Sequence, residues 1–167
     1  MELGIFLIGT LAAGIFLFLW AGFSQAVTTW GIRSVKALPT DAQGSLPTEL
    51  ERVAPPSGMY GVFNAQVAAF IAVRKGSYYN MGRYFALEFA TQLGVGALLM
   101  GILALTGAQS DAERLGLVAL VGLFAAVSID FQYWNWWGFA ARYALGFTVN
   151  RLAGYLIVTF ALLNWLL

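Results

Sequence analysis

The sequence predicts an all-α membrane protein: four transmembrane helices in an antiparallel bundle, with one long extramembrane loop between the first and second. Three observations lead there. The 167 residues are 60% hydrophobic and only 10% charged, with a mean hydropathy of +0.74, which leaves too little polar surface for a soluble domain. Four apolar windows, at about 3–27, 83–105, 115–137 and 143–167, are long enough to cross a hydrocarbon core of about 30 Å at about 1.5 Å per residue. All four prolines and most of the Lys and Arg fall in one interval, 28–82. The chain is expected to form a single integral membrane domain over 1–167.

The first window lacks a basic leader and runs for about 25 residues, so it reads as a retained anchor rather than a cleaved signal. Gly4, Gly9, Ala13 and Gly14 offer a face on which a second helix can approach closely. Trp20, Ser24, Gln25 and Trp30 place aromatic and polar groups toward one interface.

In the loop, Pro47-Thr48-Glu49-Leu50-Glu51-Arg52 can begin a short helix that Pro55-Pro56 stops. From Asn64 to Lys75 there are two readings. Phe63, Val67, Phe70 and Ile71 fall at helical spacing, with Asn64 as cap, a basic last turn and Gly76 beyond it, and this favours an interfacial helix within 59–75. The β-branched residues and flanking glycines leave a two-stranded hairpin as the other reading.

The second window carries Glu88 and Gln92 four residues apart on one face, then Gly94, Gly96, Ala97 and Gly101 for close packing. The polar link from Thr106 to Arg114 is short enough to make the second and third helices antiparallel neighbours. The third runs through Ser128, Asp130 and Gln132 into Tyr133-Trp134-Asn135-Trp136-Trp137-Gly138, and a few residues later the fourth begins.

This topology gathers the polar groups on one side. Gln25, Glu88, Gln92, Asp130, Gln132, Asn150 and Arg151 all lie in the half-helices that share it. By rise per residue Asp130 sits about 10 Å in from the end of its helix and Arg151 about 12 Å in from the start of the next. Antiparallel neighbours bring them level, and a charge in such a segment is costly without a partner or water, so the two are expected to pair. Glu88, about 8 Å deep, is within reach of a long Arg side chain.

The plain reading is that Asp130, Glu88, Arg142 and Arg151 neutralise one another and fix helix register. The sharper one is a headgroup, quinone or small polar ligand site made of Glu88, Gln92, Asp130, Gln132, Trp134, Trp137 and Arg151, with Arg151 as cation and the tryptophans as wall. Trp134 and Trp137 share a face with Asp130 and suit that wall. The remaining aromatics, Trp136, Tyr133 and Tyr143 with Trp30, Tyr78, Tyr79 and Tyr84, read as an interfacial belt.

FLWAGFSQAV at Phe18 to Val27, NMGRYFALEF at Asn80 to Phe89 and YWNWWGF at Tyr133 to Phe139 resemble a group of small, functionally uncharacterised bacterial membrane proteins with four predicted helices. The resemblance covers most of the chain in the same order and spacing. It implies the four-helix layout and the bacterial inner membrane, and it supplies no activity. That group often has histidine or another aromatic where this chain has Gln25, and proline where it has Ala140.

Several functions are excluded. The chain has no histidine and no cysteine, which removes disulfides, zinc thiolate sites, histidine-ligated haem and histidine-dependent nucleophiles. A net charge of +1 with scattered cations gives no face for nucleic acid. Two carboxylates beside two arginines are a poor hard-metal site, so neither a metal nor another cofactor is expected. The polar groups stop halfway across the bundle, against a proton path, and no inverted repeat is visible.

The leading expectation is therefore a non-catalytic structural or accessory subunit of a larger membrane assembly. A membrane-embedded lipid, quinone or small-molecule binding protein or enzyme is the alternative. The expected partners are membrane lipids and other membrane protein subunits or a second copy of the chain. Seven of the nine Lys and Arg (all but Arg114 and Arg151) lie in the long loop, at the start of the second window or at the 3–4 turn, which places that side in the cytoplasm and both termini outside.

Overall fold

The computed structural model describes residues 1–29, 34–53, 56–74, 80–107 and 110–167. Trp30, Arg33, Pro55, Lys75, Gly76, Tyr78 and Tyr79, which entered the expectations above, lie outside them. The order of elements is α1 (Leu3–Val27), α2 (Thr40–Val53), β1 (Gly58–Phe63), β2 (Ala68–Val73), α3 (Met81–Leu105), α4 (Asp111–Trp137) and α5 (Ala141–Trp165). The molecule is mostly helical rather than all-helical. It divides into two units, Met1–Val35 with Tyr84–Leu167, and Lys36–Arg83.

In the first unit α1, α3, α4 and α5 are each long and apolar enough to cross a membrane. At 25 to 27 residues each exceeds the roughly 20 that a span needs. They meet in one apolar core of Ala13, Leu17, Leu99, Met100, Leu103, Val118, Val158 and Leu162. The backbones of α1 and α3 approach closely at one point. A Cβ on Gly96 would stand 2.7 Å from the Thr10 carbonyl oxygen and 3.0 Å from the Gly14 nitrogen, so the two backbones touch where glycines leave room. Gly4, Gly94 and Gly101 have open space instead; of the small residues expected to pack, only part of the set does.

Helix ends follow local chemistry. α4 begins four residues earlier than its hydropathy indicates because Ser110 and Glu113 form a capping box: the Glu113 N–H donates to Ser110 Oγ at 3.3 Å and the Ser110 N–H to Glu113 Oε2 at 3.1 Å. It ends at Gly138, whose φ of 71° is left-handed and favours glycine. The Phe139 N–H then donates back to the Tyr133 carbonyl. Tyr133, Phe139, Tyr143 and Phe147 pack ring against ring in sequence across the turn, stacked, edge-on and tilted, at centroid distances of 5.4, 4.9 and 4.5 Å. The result is a tight antiparallel α4–α5 hairpin.

The second unit corrects two expectations. α2 starts at Thr40, seven residues before the proline expected to open it, and carries Pro47 inside. Residues 59–74 contain no helix: β1 and β2 pair antiparallel, with Tyr60 opposite Ile71 and Gly61 opposite Phe70. Asn64 Oδ1 accepts the N–H groups of Gln66 and Val67 at 2.8 and 2.7 Å. A helix N-cap makes the same two contacts, so the residue supports either structure. The β-branched and aromatic residues that follow decide for strands.

Candidate functional site

α4 and α5 are antiparallel neighbours, so Asp130, eight residues before Gly138, faces Thr148 and Arg151. Three residues apart on α5, these two share a face. Asp130 Oδ2 accepts from Arg151 Nη1 at 2.9 Å and from Thr148 Oγ1 at 3.2 Å. Asp130 is 5% exposed, whereas the Arg151 side chain keeps 27% of its surface. The expected ion pair is present, and only its cationic partner reaches open space.

That space is a half-open cavity of about 310 Å³ bordered by α1, α3 and α5. α1 contributes Trp20, Ser24 and Gln25, α3 contributes Glu88, Thr91 and Gln92, and α5 contributes Asn150, Arg151 and Tyr155, over an apolar floor of Leu17 and Val95. Its size is at the low end of about 300–1,000 Å³ usual for small-molecule sites. Trp20 fixes the α1–α5 wall. Its Nε1 donates to the Asn150 carbonyl oxygen at 2.8 Å, and its ring lies where a Cβ on Gly154 would stand, 2.6 Å from Cδ1. A side chain at Gly154 would therefore displace the Trp20 ring.

On the α3 wall, Gln92 Nε2 donates to Glu88 Oε1 at 2.7 Å. Among the described residues Glu88 has no ion-pair partner, so the expected neutralisation by an arginine does not occur. Arg142 instead donates from Nη2 to Thr29 Oγ1 at 2.8 Å. On the α5 wall, Asn150 is 7% exposed and its buried Nδ2 has no hydrogen-bond partner.

Of the candidate residues, Glu88, Gln92 and Arg151 come together around the cavity, and Asp130 supports it from behind Arg151. Gln132, Trp134 and Trp137 do not line it; all three are exposed. The reason is spatial order. The cavity lies on the α1–α3 side of α5, and α4 lines none of it. Trp134 packs edge-on against Phe131 instead, at a centroid distance of 6.3 Å.

Sequence reasoning puts Gln25 and Asn150 on the side of the bundle where the cavity lies without selecting them, and it does not foresee that Trp20 bridges α1 to α5. Gly154, four residues after Asn150, is the one sequence signal for a large ring seated there. The fold and site define a class, a helical protein with four helices long and apolar enough to cross a membrane and a cavity of mixed polar and apolar lining among three of them. Comparison with protein-family models, with curated proteins and with solved structures finds no match.

Proposed function

We propose that this chain is a membrane-embedded binding protein that holds the polar end of a small amphipathic molecule, of lipid or quinone type, in the α1–α3–α5 cavity. One observation carries the reading. Asn150 is among the residues that line the cavity, and its Nδ2, buried behind that surface, has no partner; leaving such a donor unsatisfied costs about 1–3 kcal/mol, so a small turn of the amide toward a bound acceptor is favoured. The Arg151 guanidinium beside it has five N–H groups and gives one to Asp130. Binding needs no catalytic set, in keeping with the absence of histidine and cysteine.

The test is native mass spectrometry of the chain after gentle extraction, with identification of any retained small molecule, on wild type and Asn150→Leu. Leucine is close to asparagine in shape and removes the orphan donor, so the variant should be as stable as wild type or slightly more so. The expected result is one defined molecule retained by wild type and lost by the variant. Retention indifferent to Asn150→Leu, or none in either, overturns the reading.

A second reading, as a structural or accessory subunit of a larger membrane assembly, is favoured by a different feature. Leu115, Gly116 and Ala119 of α4 with Leu156, Ile157 and Phe160 of α5 form a shallow, wholly apolar groove. Small residues in such a groove allow another helix to approach closely. Stoichiometric protein partners in the same spectra would favour it.

A further inference from the structure

We infer, building on the binding reading above, that the ligand's polar end is a zwitterion carrying an oxyanion and an ammonium group. The argument is one of charge and donor balance. Asp130 is buried against Arg151 and cancels its charge, so the pair presents to the cavity a neutral dipole with its guanidinium end outward. Glu88, across the cavity on α3, has no ion-pair partner among the described residues. Glu88, Asp130 and Arg151 together thus sum to one negative charge.

A simple anion would meet that charge unfavourably. A simple cation would answer Glu88 but bring no acceptor for the remaining Arg151 N–H groups. A neutral carbonyl compound would satisfy those donors and leave the Glu88 carboxylate without a counter-charge. One molecule bearing both groups answers both walls, with its oxyanion on Arg151 of α5, where the Asn150 amide can turn to meet it, and its ammonium on Glu88 of α3. Gln92, which donates to Glu88 Oε1, holds that carboxylate in place as a positioning residue. An aminophospholipid headgroup and a free, water-soluble aminoalkyl phosphate share this chemistry.

The experiment uses the full chain in mixed micelles. Bound molecules are counted by native mass spectrometry after titration with phosphatidylethanolamine, phosphatidylglycerol, a long-chain neutral quinone or an alkylammonium amphiphile, and with phosphoethanolamine as soluble competitor. Phosphatidylethanolamine should bind about tenfold more tightly than phosphatidylglycerol, the worth of one charge-assisted contact. Glu88→Gln, a conservative change at an exposed position, should abolish that preference, and Asn150→Leu should weaken both lipids.

Effective competition by phosphoethanolamine alone assigns the site to a free zwitterion and still supports the inference. Retention of phosphatidylglycerol, the quinone or the alkylammonium as tightly as phosphatidylethanolamine, with loss in Asn150→Leu, overturns the zwitterion and leaves the cavity as a binding site. Retention of none of the probes in an Asn150-dependent manner overturns both. Thermal unfolding of each variant separates lost binding from lost structure.

Discussion

At the scale of single residues, Arg151 is held by Asp130 on one side and open to the cavity on the other. Asp130→Ala removes its partner and leaves Thr148 without an acceptor. The expected loss is about 3 kcal/mol, the lower end for a broken buried pair, because the guanidinium keeps an edge in the cavity. Asp130→Asn combined with Arg151→Gln should recover part of that loss. A double-mutant cycle measured by reversible unfolding in detergent checks this, and independent, additive losses would refute the coupling. The pair is legible in the sequence because two charges at equal depth on adjacent antiparallel helices have few other partners. Asn150 is not legible in this way. An uncharged amide inside a helix is unremarkable until the structure shows that its Nδ2 faces no acceptor.

At the scale of elements, α1 and α3 bring their backbones together at glycine, beside side-chain contacts such as Phe18 on Phe85 and Phe89. Gly96→Leu would place four heavy atoms against the Thr10 carbonyl and the Gly14 backbone. Overpacking of this kind costs about 1–3 kcal/mol, and because α1 and α3 supply two walls of the cavity, ligand retention should fall with stability. Gly94→Leu, two residues away in open space, should change neither, and comparing the pair by thermal unfolding and native mass spectrometry makes the check. The four spans were legible from hydropathy alone, since length and apolar content dominate such helices. The segment around 59–75 was not, because the Asn64 hydrogen bonds that start a helix also close a hairpin. The tryptophan wall failed for a related reason: spacing along α4 places Trp134 and Trp137 on one face with Asp130, but not which neighbour α5 offers to the cavity. That depends on α1, a hundred residues earlier in the chain.

At the scale of the whole molecule, charge is distributed unevenly. In the sequence, Arg33, Lys36, Arg52, Arg74 and Lys75 fall within 28–82, Arg83 follows directly and Arg142 lies at the α4–α5 turn, while Arg114 lies just after the α3–α4 link. The expected outcome is a cytoplasmic 28–82 segment. The chain has no cysteine, so single thiols introduced at Ser45 or Gly107 report sidedness without background. A membrane-impermeant maleimide applied to intact cells should label Gly107→Cys and spare Ser45→Cys, and the reverse pattern would invert the topology. Within this molecule α5 is the helix that the others need: it accepts from Trp20 of α1, pairs with Asp130 of α4 and brings both donors to the cavity. Yet it follows all of them in the chain. A chain that ends before Arg151 is therefore expected to leave the Asp130 carboxylate without its guanidinium, so the α4–α5 pairing should wait on the last stretch of chain to be made.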